Sequence, residues 1–169
     1  METQSRSKGI FDGDASGTRD EVVELLTKSY WMEIETVMSY LAASVNLDGV
    51  RAQEIKESLR EDIEEELGHA RQFADRIKEL YGVVPGSEGF VAEQSFLQPP
   101  DEQTDIVHVI RGVIKAETGA IEHYTRLVEV TDGVDPVTQD MAIAILRDEQ
   151  AHRRLFEGFL REYEVEGAA

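Results

Sequence analysis

Two related stretches decide the fold: residues 62–73 read DIEEELGHARQF, and residues 145–156 read ILRDEQAHRRLF. Each contains a glutamate three residues before a histidine and a phenylalanine four residues after that histidine. On an α-helix, residues three positions apart are neighbours on one face, so each pair presents a carboxylate and an imidazole side by side. Such a pair is able to ligate one metal ion. The two pairs are Glu66 with His69 and Glu149 with His152.

A second pair of related segments lies upstream of the Glu-x-x-His pairs. Glu33 is followed seven residues later by Tyr40, and Glu117 is followed at the same distance by Tyr124. The spacing from the upstream glutamate to the glutamate of the next pair is 33 residues in the first half and 32 in the second. We therefore interpret the first half of the chain as a structural copy of the second.

Hydrophobic residues recur at helical spacing in four long segments, and we predict helices over residues 20–46, 50–81, 104–133 and 135–163. About 22 residues separate the second helix from the third, and they include three of the four prolines. At about 1.5 Å per helical residue and about 3.3 Å per extended residue, this connection is long enough to run the full length of the bundle. The predicted fold class is all-α, a four-helix bundle with one long crossover between helices two and three.

Composition narrows the functional classes. The chain of 169 residues has 35 acidic and 17 basic residues, a formal net charge of −18, which argues against nucleic acid or a membrane surface as partner. The absence of cysteine excludes disulfides, thiolate zinc sites and iron–sulfur clusters. Without a membrane-length apolar run or a signal-like N-terminus, we expect a cytoplasmic protein. Few lysines among many acids favour a halophilic source.

The chain is expected to divide into a flexible N-terminal tail over residues 1–18, rich in Ser, Gly and Asp, and one domain over residues 19–169. Within that domain, the glutamates of the four segments all lie near the middle of their predicted helices, among apolar neighbours. Four carboxyl groups and two imidazoles buried together lose hydration at high cost unless cations compensate them. Either Glu-x-x-His pair alone predicts only a partly exposed helix pair, but the joint pattern predicts two divalent metal ions.

These stretches resemble the ferritin-like di-iron carboxylate proteins, in particular bacterioferritins and dodecameric Dps-like relatives, and the resemblance covers residues 20–163. It implies a ferroxidase that oxidises Fe(II) with O2 or H2O2 at a site holding two iron ions per subunit, for iron storage or detoxification. The implied roles are terminal ligands Glu33 and Glu117, bridging ligands Glu66 and Glu149, histidine ligands His69 and His152, and a hydrogen bond from Tyr40 to a ligand carboxylate. A core tyrosine with a satisfied hydroxyl is the alternative interpretation of Tyr40.

The sequence also departs from the family pattern. Leu67 occupies the position of the bacterioferritin haem ligand, a methionine, so no haem is expected. The 17 residues after His152 leave no room for the fifth helix of the large cages. The resemblance therefore implies a homo-oligomer with a dimer as the minimum unit and a dodecameric cage as the assembly.

Two other functions remain open on the same scaffold. One is a different di-metal enzyme, either a rubrerythrin-like peroxidase or a manganese-catalase-like protein, and the other is a non-catalytic bundle that buffers metal.

His108 and His123 lack a glutamate three residues upstream, and we interpret them as surface or helix-packing residues. The acidic run over residues 64–66 and Asp148 are interpreted mainly as solvated surface, with Asp148 also a candidate partner of a ligand.

Overall fold

The computed structural model describes residues 9–167, which form four α-helices without any strand. The predicted fold class, an all-α four-helix bundle with a long crossover, is confirmed. Within the described ranges, no helix is both long and apolar enough to cross a membrane. The helices are α1 (Ser16–Asn46), α2 (Gln53–Glu79), α3 (Ile106–Thr131) and α4 (Pro136–Gly167), with short 3-10 turns at Gly13–Ala15, Ser87–Gly89 and Ser95–Leu97.

The bundle consists of two helical hairpins. α1 packs along α2, and α3 packs along α4, whereas the two hairpins meet mainly through α1 and α3 and only at a few points through α2 and α4. The backbone N–H of Asp48, before α2, donates to the carbonyl of Gln103, before α3, at 2.9 Å. The crossover therefore returns the chain to the end where α2 begins, and α3 runs parallel to α2.

Two apolar clusters form the core, one toward each end of the bundle. The first contains Tyr40, Leu59 and Phe156, and the second contains Leu26 and Phe73, together with many other aliphatic side chains. Each fully buried side chain of this size contributes about 1.5–3 kcal/mol. On every helix the predicted ligands lie between the segments that supply these clusters, so apolar layers above and below exclude water from the middle of the bundle.

The crossover is attached to both hairpins. The Glu35 carboxylate on α1 accepts the backbone N–H of Glu93 at 3.0 Å and that of Gln94 at 2.7 Å. On the other side, Gly112 of α3 faces the crossover so closely that a Cβ there would lie 2.9 Å from the Phe96 carbonyl oxygen. The long connection is thus a structured strap and not an open loop.

The expected tail boundary at residue 18 requires correction. Residues 1–8 lie outside the described residues, but Ile10 is only 3% exposed and its backbone N–H donates to the Val134 carbonyl at 3.1 Å. α1 already begins at Ser16. The apolar side chain of Ile10 docks against the second cluster, a tertiary contact that the polar composition around it conceals.

The end of α2 also differs from the prediction. α2 ends at Glu79, and exposed Tyr81 takes the left-handed conformation with φ of 65°. Gly82 does not have a positive φ; it is required because a Cβ there would lie 2.9 Å from Ile77 Cγ2 and 3.0 Å from Val23 Cγ1. Glycine therefore allows α1 and the end of α2 to approach each other.

Candidate metal centre

The four helices bring the six predicted ligands together in the water-excluded middle of the bundle, where all six are buried. Among the described residues, two groups of four side chains each place one ligand atom within 4.8 Å of the others. Glu66 and Glu149 belong to both groups, so each could contribute oxygen atoms to two neighbouring cations. The first group is Glu33, Glu66, His69 and Glu149, and the second is Glu66, Glu117, Glu149 and His152.

Both histidines point Nδ1 toward the shared glutamates. His69 Nδ1 lies 3.2 Å from Glu66 Oε2 and 3.1 Å from Glu149 Oε1. His152 Nδ1 lies 3.6 Å from Glu66 Oε1 and 3.8 Å from Glu149 Oε2. These distances join oppositely charged groups, but only the contact between His69 and Glu66 has hydrogen-bond geometry.

The ligand atoms of the six candidate residues suit a metal ion. His152 Nδ1 and Glu149 Oε1 are buried and lack a hydrogen-bond partner within residues 9–167. A buried polar atom without a partner costs about 1–3 kcal/mol, so native proteins rarely retain one without a reason. Imidazole nitrogen and carboxylate oxygen are ligands that divalent first-row metals accept, and a bound cation would satisfy both atoms.

Two tyrosines donate hydrogen bonds to Glu33 and Glu117, the glutamates that each belong to only one ligand group. The Tyr40 hydroxyl donates to Glu117 Oε1 at 2.5 Å, which is the kind of hydrogen bond that the resemblance implies for this residue. The Tyr124 hydroxyl donates to Glu33 Oε1. Each tyrosine thus binds a glutamate of the opposite hairpin. Tyr124 is not among the predicted site residues, although its spacing from Glu117 repeats that of Tyr40 from Glu33.

The Nε2 atoms of the two histidines, which point away from the shared glutamates, also contact carboxylates. His152 Nε2 lies 3.2 Å from Glu65 Oε2 and 3.9 Å from Asp62 Oδ1. His69 Nε2 lies 3.6 Å from Asp148 Oδ2. Glu65 is half exposed, in agreement with its interpretation as mainly solvated surface, but its carboxylate also contacts His152. Asp62 was not recognised at all, although it is buried.

In the absence of a cation, the pKa values of the buried glutamates shift in opposite directions. Burial raises the pKa of Glu33 well above its ordinary value, and the charges of Glu66 and Glu149 raise it further. Burial likewise raises the pKa of Glu117, with a contribution from Glu149. For Glu149, burial acts to raise the pKa, but contacts with His152 and His69 outweigh it and lower the pKa to about 2.

The two histidines shift toward the protonated form. Burial acts to lower the pKa of His69, but the adjacent Glu149 and Glu66 outweigh it and raise the pKa to about 10. The same balance raises the pKa of His152 to about 12. Imidazolium–carboxylate pairs therefore compensate the buried charge when no metal ion is bound.

The other histidines lie outside this layer. His123 Nε2 lies 3.0 Å from the Leu25 carbonyl and 3.1 Å from Ser29 Oγ, and burial lowers its pKa. His108 is exposed at the start of α3, with Nε2 3.1 Å from the Gln98 carbonyl. Both positions agree with the interpretation as packing and surface residues.

The profile of the Ferritin family, described as a ferritin-like domain, matches residues 23–165. The chain therefore belongs to the ferritin-like family. It is 31% identical over 144 residues to the DNA protection during starvation protein of Pyrococcus furiosus, covering 83% of this chain and 77% of that protein. It is 28% identical over 147 residues to the bacterioferritin of Desulfovibrio desulfuricans, covering 86% of this chain and 77% of that protein.

Among solved structures, the dodecameric thioferritin of Bacteroides fragilis matches with a TM-score of 0.76 and 25% identity, covering 89% of this chain and 90% of that one. Membership in this family, together with relatives named as bacterioferritin and starvation-protection protein, supports a role in iron storage or detoxification.

Proposed function

We propose that this protein is a ferroxidase that oxidises Fe(II) at a dinuclear site within one chain, for iron storage or detoxification. The observation that carries the proposal is the pair of overlapping groups that share Glu66 and Glu149. Each group offers three carboxylates and one imidazole, and the four glutamates together can balance the charge of two divalent ions. Two Fe(II) ions per subunit are therefore the proposed complement of the site.

As substrate, each Fe(II) would give up one electron, so two Fe(II) would become two Fe(III) while one H2O2 takes up two protons to form two water molecules, or while one O2 takes up two protons to form H2O2. The residues of this chain would position the two Fe(II) ions and the glutamates that bind them. Glu66 and Glu149, which belong to both ligand groups, would hold the two ions at neighbouring positions. Tyr40 and Tyr124 orient Glu117 and Glu33 through their hydroxyl groups. The apolar layers on either side exclude bulk water and strengthen the electrostatic interactions within the site.

We further propose a cytoplasmic homo-oligomer, with a dimer as the minimum unit and a dodecamer as the complete assembly. The dodecameric relative supports this stoichiometry. On α1, Met38, Leu41 and Val45 are between 49% and 65% exposed at helical spacing, and this apolar stripe suits burial against a second subunit. The charge of −18 opposes binding to phosphate backbones, so the proposal excludes DNA as a direct partner although one relative is named for DNA protection.

Stopped-flow oxidation of Fe(II), followed separately with O2 and with H2O2, tests the proposal. We expect rapid oxidation and a ferric product that remains with the protein through size-exclusion chromatography. Peroxide consumption without a retained ferric product would instead support a rubrerythrin-like peroxidase. Disproportionation of H2O2 by the manganese-loaded protein would support a catalase. Metal binding without turnover would support the buffering bundle.

A further inference from the structure

A large cavity lies outside the candidate metal centre and is bounded by α1, α3 and the crossover; we call it the α1–α3 cavity. Its volume is about 700 Å³, and the described residues that line it include none of the six candidate metal ligands. Binding sites for small molecules are typically clefts of about 300–1,000 Å³, with mostly apolar walls and a few polar groups. The α1–α3 cavity therefore has the size of a separate ligand site.

The walls of the cavity combine aromatic rings with small residues. Trp31 of α1 and Phe96 of the crossover supply aromatic surface, whereas Ala116 and Gly119 of α3 supply almost no side chain. A Cβ atom at Gly119 would meet no other atom within 4 Å, so this wall leaves open space. The Trp31 ring is supported by Phe90, with the ring centroids 5.2 Å apart. A flat apolar group therefore fits between the indole of Trp31 and the backbone of α3.

Two polar side chains that line the cavity have free acceptor atoms. His123 Nε2 lies 3.0 Å from the Leu25 carbonyl oxygen, which only accepts, so the ring proton of the neutral imidazole is on Nε2. Nδ1 then keeps its lone pair, and residues 9–167 offer it no hydrogen-bond partner. The Thr27 hydroxyl donates its proton to the Val23 carbonyl at 2.8 Å and also keeps its lone pairs. Both side chains are therefore able to accept hydrogen bonds from a ligand.

The charges around the cavity select against anions. Its lining contains four carboxylates and one ammonium group, and that ammonium, Lys28 Nζ, lies 3.4 Å from a Glu93 carboxylate oxygen. Glu24 and Glu122 are exposed and form no ion pair with another described residue. The potential inside such a cleft is negative, which favours a positively charged ligand.

We propose that the α1–α3 cavity binds an arylalkyl ammonium ion, that is, a protonated primary amine carried on an aromatic ring. The aromatic ring packs between Trp31 and Gly119, and the ammonium group donates N–H groups to His123 Nδ1 and the Thr27 hydroxyl. An indole face also attracts a cation. The proposal requires neither metal binding nor Fe(II) oxidation, so its failure is distinguishable from failure of the proposed function.

The test is a titration of the full-length protein with three ligands of similar shape and different charge: phenethylamine, which is a cation at neutral pH, phenethyl alcohol, which is neutral, and phenylpropionate, which is an anion. Binding is measured by calorimetry and by the fluorescence of Trp31, the single tryptophan of the sequence. The variants are Gly119→Leu, which fills the open space, and His123→Phe, which removes the acceptor. Gly17→Leu is the matched control, because Gly17 is an exposed glycine of α1 outside the cavity.

We expect phenethylamine to bind roughly 10-fold more tightly than phenethyl alcohol, and phenylpropionate to bind most weakly. Gly119→Leu should abolish binding, and His123→Phe should weaken binding of the amine by roughly 3- to 10-fold. Combining Glu24→Gln with Glu122→Gln should reduce the preference for the amine over the alcohol. Gly17→Leu should match the wild-type protein, and circular dichroism verifies that every variant remains helical.

Four outcomes would overturn the proposal. They are absence of amine binding to the wild-type protein, equal affinity for all three ligands, unchanged amine binding in Gly119→Leu, and displacement of the amine by equimolar Mg(II), which would indicate a site for inorganic cations. A smaller assembly of Gly119→Leu in light scattering, with no amine bound to the wild-type protein, would show that a second subunit fills the cavity. Amine binding without Fe(II) oxidation would contradict the ferroxidase alone.

Discussion

Metal binding to this site should release protons, because protonated side chains neutralise part of the negative charge of the buried glutamates in the metal-free protein. At pH 7 the imidazoles of His69 and His152, with pKa values of about 10 and about 12, are protonated. The raised pKa values of Glu33 and Glu117 allow up to two further protons. Each of these four groups must lose its proton to become a ligand. Loading two Zn(II) ions should therefore release between two and four protons per chain.

The pH dependence of affinity follows from the same groups. Their pKa values are raised in the metal-free protein, so lowering the pH favours the protonated, metal-free state and weakens binding. The apparent affinity for the pair of ions should increase roughly 10²- to 10⁴-fold per pH unit near neutrality, one factor of ten for each proton released. The assay is a Zn(II) titration in weakly buffered solution with a pH indicator, repeated by calorimetry in buffers of different ionisation enthalpy.

Two variants identify which groups release the protons. Glu64→Gln should release as many protons as the wild-type protein, because its side chain is exposed beside the site and belongs to neither ligand group. Combining Glu33→Gln with Glu117→Gln should limit the release to the two histidine protons. Release of fewer than two protons per chain, with two Zn(II) ions bound, would refute the argument that imidazolium–carboxylate pairs stabilise the metal-free layer.

Four further outcomes are expected. Replacing Glu66 and Glu149 together by Gln should abolish Fe(II) oxidation in stopped flow while circular dichroism still shows a helical protein, because neutral amides lose the bridging charge; full activity would exclude this site. The metal-free protein should lose thermal stability as the pH rises from about 6.5 to about 10, since protonated His69 and His152 stabilise the folded state fully below about 6.5 and this contribution is lost as the pH approaches their raised pKa values of about 10 and about 12; a melting temperature that rises over this range would contradict it. Haem reconstitution should produce no Soret band, because Leu67 offers no axial ligand. Light scattering should detect a dodecamer in molar salt and dimers at low salt, because salt screens a charge of −18 per chain; a stable monomer in molar salt would argue against a cage.

The local sequence determined where the four helices form and which candidate ligands each helix carries. Apolar residues at helical spacing predict four helices, and the observed helices differ from the prediction by a few residues at their ends. The Glu-x-x-His spacing alone places a carboxylate and an imidazole on one helix face. The length of the segment between the second and third helices permits the crossover, and the internal repeat brings the four glutamates to one level.

Tertiary structure decided the contacts between hairpins. The hydrogen bond from Tyr124 to Glu33 and the contact of Glu65 with His152 depend on the rotation and the axial register of one helix against another. The docking of Ile10 depends on the turn between α3 and α4. Helical periodicity specifies which residues share a face of one helix, but it contains no information about the distance from that face to a side chain on a neighbouring helix. That distance follows from how the two apolar clusters pack, so only the folded bundle shows which carboxylate meets which histidine.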